Sequence, residues 1–190
     1  MQTLRLHGLV EHSRANGPGQ RAVLWTQSCT LKCPGCFNPE THDPHAGEVI
    51  QVTDLAGRLL AITDIEGVTI SGGEPLQQPQ AIQALLEQLR ARSTLSIVLF
   101  SGFAWSEIQR MPIGRHLPDL VDVLIAGRYQ ADQRVASGLI GSANKDLRCF
   151  TTRYTPADFA PVPPAEVRIA RDGTITLTGI NPVVLGGLHD

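Results

Sequence analysis

What most constrains the fold of this chain is a recurring order: a short apolar run, a turn bearing glycine or cysteine, then a stretch of helical periodicity. Residues 22–26, 68–70, 95–100 and 120–126 read as strands. Residues 52–63 carry Leu55, Leu59, Leu60 and Ile62 at helical spacing, and residues 79–92 place Ile82, Leu85, Leu86 and Leu89 on one face. Residues 105–111 read as a short helix. Strand and helix in alternation predict βαβ units and a parallel sheet. In such sheets, functional loops gather at the carboxyl ends of the strands. Each candidate motif has that address: Cys29, Cys33 and Cys36 follow the first run, Gly72-Gly73-Glu74-Pro75 the second and Ser101-Gly102 the third. One shared site is expected. Leu4 and Leu6 alternate with polar neighbours as in an edge strand, and residues 14–21 form a turn-rich loop.

At 190 residues the chain supports one sizeable core. Residues 1–150 are expected to form it, with 151–190 as an extension and not an independent domain. Pro156, Pro161, Pro163 and Pro164 mark an irregular connector. Residues 166–178 then alternate with period two about Asp172-Gly173, which predicts a β-hairpin appendage covering a sheet edge. The net charge of -2 gives no global field for nucleic acid or an anionic membrane. No apolar run approaches the roughly 20 residues that span a bilayer. The first residues lack the basic and apolar regions of a secretory signal. A reducing cytoplasm is therefore expected, where clustered cysteines are metal-binding or catalytic more often than disulfide-bonded.

Cys29, Cys33 and Cys36 put three thiols into eight residues, with no fourth ligand fixed beside them. One reading is a [4Fe-4S] cluster with an open corner, since soft thiolates favour iron–sulfur and zinc sites. A second is structural zinc completed by Cys149, His42 or His45. A third is a redox pair at Cys33-Pro-Gly-Cys36. His42 and His45 otherwise read as solvated, and Trp25 as core. Gly72 and Gly73 permit close backbone approach. Their carbonyls and the Glu74 carboxylate can accept hydrogen bonds from a ligand ammonium.

Cys29-x3-Cys33-x2-Cys36 followed by Gly-Gly-Glu-Pro resembles the radical S-adenosylmethionine (SAM) superfamily. More narrowly, it resembles the small activating enzymes of glycyl-radical proteins, above all the anaerobic ribonucleotide reductase activating proteins. Residues 16–23, 36–41, 100–103 with Glu107, 122–125 and 141–145 are similar to that family's lead-in loop, post-cysteine stretch, third-strand motif, late strand and closing loop. The likeness covers roughly residues 1 to 147.

This resemblance implies an α/β fold, an incomplete open parallel (β/α) barrel, here with the C-terminal β-hairpin appended. It implies reductive cleavage of SAM at the open iron, giving a 5′-deoxyadenosyl radical that abstracts hydrogen, most simply from a glycyl-radical enzyme. A small radical SAM enzyme acting on a peptide, nucleoside or metabolite, and a non-catalytic zinc protein, stand as alternatives. Carried over residue by residue, Cys29, Cys33 and Cys36 ligate iron. Gly72, Gly73 and Glu74 line the methionine ammonium. Gly35, Cys36 and Phe37 run beside the adenine, with Phe37 stacking on it. Ser101 and Gly102 meet ribose or carboxylate, and Asn144 and Lys145 close the far side. Cys149 is expected to be a non-ligand. The implied partners are an electron donor of flavodoxin or ferredoxin type and a glycyl-radical enzyme, with no nucleic acid and no membrane.

Overall fold

A computed structural model describes residues 2–169 and 172–180. Its strands are β1 (Thr3–Ser13), β2 (Arg21–Thr26), β3 (Glu48–Gln51), β4 (Gly67–Gly72), β5 (Ser96–Ser101), β6 (Val123–Ala126), β7 (Arg134–Ser137), β8 (Ile140–Ser142), β9 (Asp146–Cys149), β10 (Glu166–Ile169) and β11 (Ile175–Thr178). Its helices are α1 (Val52–Ala61), α2 (Pro79–Arg92), α3 (Trp105–Ile108) and α4 (Leu117–Leu120). A seven-stranded sheet runs in the order β3-β1-β2-β4-β5-β6-β9. Strands β2, β4, β5 and β6 are parallel, as the βαβ pattern predicts.

The flanks depart from a wholly parallel sheet. β1 is antiparallel to both β2 and β3, and β9 is antiparallel to β6. Connection length explains the first case: residues 14–20 are too few for a crossover, which takes roughly a dozen or more. In the second, β7 and β8 pair as a separate hairpin beyond the end of β6, so the chain re-enters the sheet from the end it left. β3 pairs along the outer side of β1 from Thr3 to Leu6, so Leu4 and Leu6 do not stand at an edge. The apolar run 120–126 splits at Asp122, whose carboxylate accepts from Arg90, from the Ile97 amide and from Thr151. α4 precedes it and β6 follows.

Period-two alternation gives the sheet two different faces. Ala22, Leu24, Ile70, Leu99 and Leu124 pack against Leu55, Leu59, Leu85 and Leu86 of α1 and α2. Val98, Val123 and Ile125 point the other way and meet Tyr154, Phe159 and Val162 of the extension. The extension thus fills the amino-end half of that second face. Its Tyr154 hydroxyl donates to Glu66 Oε1 and lies 2.8 Å from Ser96 Oγ. The same floor holds Arg21, which is fully buried. The Arg21 guanidinium donates to Thr69 Oγ1 and Ser96 Oγ (both 2.8 Å), and to the carbonyls of Val68 (3.0 Å), Ser96 (3.1 Å) and Pro18 (3.1 Å). Burial lowers the Arg21 pKa, but guanidinium stays charged in proteins. That acceptor set is what makes a buried charge tolerable.

β10 and β11 form the expected hairpin, with Glu166 opposite Thr178. Ala170 and Arg171 of its turn, and residues 181–190, lie outside the described residues. Glu166 Oε2 accepts from Ser13 Oγ (2.7 Å) and the Arg14 amide (3.0 Å), and Asn16 Nδ2 donates to Thr178 Oγ1 (2.8 Å). Those donors sit where β1 ends and in the loop after it, and Thr176, Leu177 and Thr178 of β11 line the cleft described below. Cys149 stands opposite Val123, the first residue of β6 and hence the end away from the cysteine loop. Among the described residues, no helix is long and apolar enough to cross a membrane.

The β2–β4 ladder continues beyond both strands. The Gly73 amide donates to the Thr26 carbonyl at 2.8 Å, and the Glu74 amide to the Ser28 carbonyl at 3.0 Å. Gly72 has φ +105°, and a Cβ on it would stand 2.4 Å from the Thr26 nitrogen. On Gly73 a Cβ would stand 2.3 Å from the Ser28 carbonyl oxygen. The diglycine is thus required by the chain's own backbone. Gly73→Ala is expected to destabilise the metal-free protein by about 1–3 kcal/mol in urea unfolding, as overpacking does. Gly57→Ala in α1, where a Cβ meets nothing within 4 Å, is expected to stabilise by up to about 1 kcal/mol. Equal effects of the two would contradict the close approach.

Candidate functional site

The cysteine loop leaves β2 through Gln27, which is fully buried. Gln27 Nε2 donates to the carbonyls of Glu40 (3.1 Å) and Asp43 (2.9 Å), and its Oε1 lies 2.8 Å from His7 Nδ1. Gln78 Nε2 donates to the Gln27 carbonyl at 3.0 Å. Thr30 and Gln77 bond reciprocally, amide to Oε1 at 3.0 Å and Nε2 to Oγ1 at 2.6 Å. The Ser28 amide donates to the Thr41 carbonyl at 2.8 Å. Both ends of the loop are therefore fixed. Between Cys33 and Cys36 the chain makes a turn, with the Cys36 amide 3.1 Å from the Cys33 carbonyl. Pro34 fits its first central position, and Gly35, at φ +70°, supplies the positive φ of the second.

A cleft of about 360 Å³ opens over the carboxyl ends of β2, β4 and β5. That is within the usual size of a small-molecule site. Cys29, Cys33, Cys36, Phe37, Gly72, Gly73, Glu74, Ser101, Gly102 and Lys145 all line it. Gly35 and Asn144 do not line it. Gly35 shapes the turn behind the thiols, and Asn144 Nδ2 donates to the Arg128 carbonyl at 2.9 Å. Phe37 lines the cleft but is also held by the protein: its ring centroid is 4.4 Å from that of Tyr129 and 4.9 Å from the Arg134 guanidinium carbon.

Two readings of the sequence are corrected here. Trp25 is not core: alternation along β2 turns it away from Leu24 and into the cleft. His42 is not simply solvated: it lines the cleft, and its Nε2 is buried without a hydrogen-bond partner. His45 is exposed as expected.

Glu74 is 1% exposed. Its Oε1 accepts from the Leu76 amide and Ser101 Oγ (both 2.9 Å), and its Oε2 from the Gly102 amide at 2.6 Å. The carboxylate thus clasps the ends of β4 and β5 together. Burial pushes its pKa up to about 7 against those donors. Lys145 brings a half-buried ammonium into the same cleft, bonded to the Gly127 carbonyl. Burial lowers its pKa, opposed by Cys33, Glu74 and Cys36. Burial also raises the thiol pKa values of Cys29 and Cys36, so each releases a proton on taking a metal.

Three soft thiols on one loop, lining one cleft, suit an iron–sulfur cluster. Among the described residues, no three Cys, His, Asp or Glu side chains converge tightly enough to hold one metal ion. A cubane instead takes each thiolate on a different iron, so its ligands stand farther apart. Cys149, the zinc reading's fourth thiol, faces the amino end of β6.

Sequence reasoning missed Gln27, Gln78 and Arg21. For Arg21 the available signal was a charged residue directly abutting the apolar run 22–26. The two glutamines gave none, because their partners are distant backbone carbonyls.

A family model described as a 4Fe-4S single cluster domain matches residues 15–148. The anaerobic ribonucleoside-triphosphate reductase-activating protein of Enterobacteria phage T4 is 33% identical over 138 residues, covering 70% of this chain and 85% of the relative. The protein of that name from Salmonella typhimurium is 28% identical over 137 residues, covering 68% and 87%. Pyruvate formate-lyase 1-activating enzyme of Escherichia coli (strain K12) is 25% identical over 146 residues, covering 74% and 58%.

The raised Glu74 pKa has a stability consequence. Its ordinary value is 4.5 and its folded value about 7, so the folded state binds more protons between those limits. The contribution is fully present below 4.5 and is lost as pH rises through about 7. The metal-free protein is expected to lose on the order of 1–3 kcal/mol over that window in urea unfolding. Glu74→Gln is expected to flatten the dependence. An equally steep profile in the variant would contradict the assignment.

Proposed function

This chain belongs to the family of the anaerobic ribonucleoside-triphosphate reductase-activating proteins, and on that premise we propose that it activates a glycyl-radical enzyme. The hydrogen atom removed belongs to a backbone glycine of that partner. The observation that carries the reading is the shared cleft: three thiols spaced for a cluster with an open corner face the diglycine turn and the end of β5. Helices cover one sheet face and the cleft opens on the other, which supports an incomplete open barrel as the finer description of the fold.

Cys29, Cys33 and Cys36 would hold three irons. When bound, the [4Fe-4S] cluster and SAM supply one-electron cleavage of a sulfonium bond and hence hydrogen abstraction. The chain's own residues do the rest. The Gly72 and Gly73 backbone offers acceptors for an ammonium. Ser101 and Gly102 are held in position by Glu74. Lys145 carries charge opposite to that of the thiolates, and Phe37 offers a ring face. Gly35 and Asn144 act from behind the lining. Trp25, Phe100 and Leu139 give the cleft apolar walls that limit water, which protects a reactive intermediate. A cytoplasmic electron donor of flavodoxin or ferredoxin type would complete the system.

Anaerobically reconstituted protein, given reductant, SAM and the glycyl-radical enzyme of its source organism, is expected to yield 5′-deoxyadenosine together with a glycyl radical in that enzyme by electron resonance. Cys33→Ala is expected to abolish both. Deoxyadenosine without a glycyl radical overturns the activase role. No deoxyadenosine overturns the chemistry as well.

A further inference from the structure

The β10–β11 ribbon is inside out. Register sets Val167 opposite Leu177 and Ile169 opposite Ile175. Alternate residues share a face, so these four apolar side chains stand together. They are 46%, 36%, 72% and 48% exposed in that order. The polar face turns inward, where Glu166 and Thr178 bond to Ser13, Arg14 and Asn16. A half-buried antiparallel ribbon ordinarily does the opposite, apolar side in and polar side out. The inward bonds leave the apolar face no route into the core. A contiguous exposed apolar surface of this kind marks an interaction site. It lies beyond the stretch that matches the family model, residues 15–148.

We propose that this outward face is where the partner protein docks while its glycine-bearing backbone enters the cleft. The inference rests on the activating role proposed above and names the surface that serves it. Continuity identifies the occupant. Thr176 to Ile180 form part of the cleft wall, and Leu177 belongs both to that wall and to the apolar face. A polypeptide reaching the thiols past that wall, with a folded body behind it, lies against the ribbon. Charge argues for protein over lipid. Val167, Ile169, Ile175 and Leu177 bring no charge to this face, whereas an anionic membrane selects a basic one. The partner surface is therefore apolar, flanking an extended glycine-containing loop.

The test uses the full chain and the purified glycyl-radical enzyme of the same organism. Two variants, Val167→Ser/Ile169→Ser and Ile169→Lys, alter exposed side chains outside the cleft. Binding is measured anaerobically without SAM or reductant. The partner Kd is expected to rise about tenfold in both, as for loss of central apolar contacts. Partner-independent deoxyadenosine release is expected to stay at the wild-type rate. An unchanged Kd in both variants overturns the proposal. So does an unchanged Kd accompanied by loss of a wild-type dimer, or of binding to phosphatidylglycerol vesicles. A wild type that cleaves no SAM while Kd shifts as expected sinks the activating role and leaves the docking surface standing.

Discussion

Two backbone hydrogen bonds, Gly73 to Thr26 and Glu74 to Ser28, are what the site depends on. They carry the parallel ladder past the strand ends and bring the root of the cysteine loop onto the diglycine turn. Side chains at 72 and 73 would forbid the approach. Gly102 differs: a Cβ there would meet the tip of the Leu31 side chain, at 2.4 Å, which can turn aside. Thiols and strand ends thus share one cleft because the backbone there is bare. Gln27, which is buried, and Gln78, which is half-buried, then lock the loop by satisfying carbonyls that no secondary structure reaches.

Buried charge is handled in opposite ways at the two ends of the sheet. Arg21 at the floor keeps its charge, because neutral acceptors replace water around a guanidinium that does not readily lose its proton. Glu74 near the cleft has three donors, yet burial still pushes it toward neutrality. Around it stand thiols that must lose protons to take a metal, with Lys145 supplying opposite charge. A carboxyl poised this way keeps the joined ends of β4 and β5 without adding a full negative charge to a cleft that receives three thiolates.

Much of this was legible in the sequence, because one property decided each case. Apolar periodicity located β2, β4, β5 and α2 to within a residue or two, since burial of one helix face and both sheet faces leaves little choice. Motif position after each strand put Cys29, Gly72 and Ser101 at one end of the sheet. Other features depend on connections or distant partners. The antiparallel flanks follow from loop length and from the β7–β8 detour. Gly72 and Gly73 signal close backbone approach, but the residue types do not say that the backbone of 26–28 is what approaches. The hairpin was legible from alternation, but not its inverted facing, which hangs on Glu166 finding Ser13 and Arg14.

The reading rests on Cys29, Cys33 and Cys36, which line one cleft with the diglycine turn and would hold a four-iron cluster that leaves one iron open to SAM. A Mössbauer spectrum of the isotopically enriched, anaerobic protein with and without SAM tests it most directly. The account predicts that SAM changes the signal of one iron and leaves the other three as they were. A spectrum in which all irons ignore SAM, or a protein that holds no iron through Cys29, Cys33 and Cys36, would contradict it.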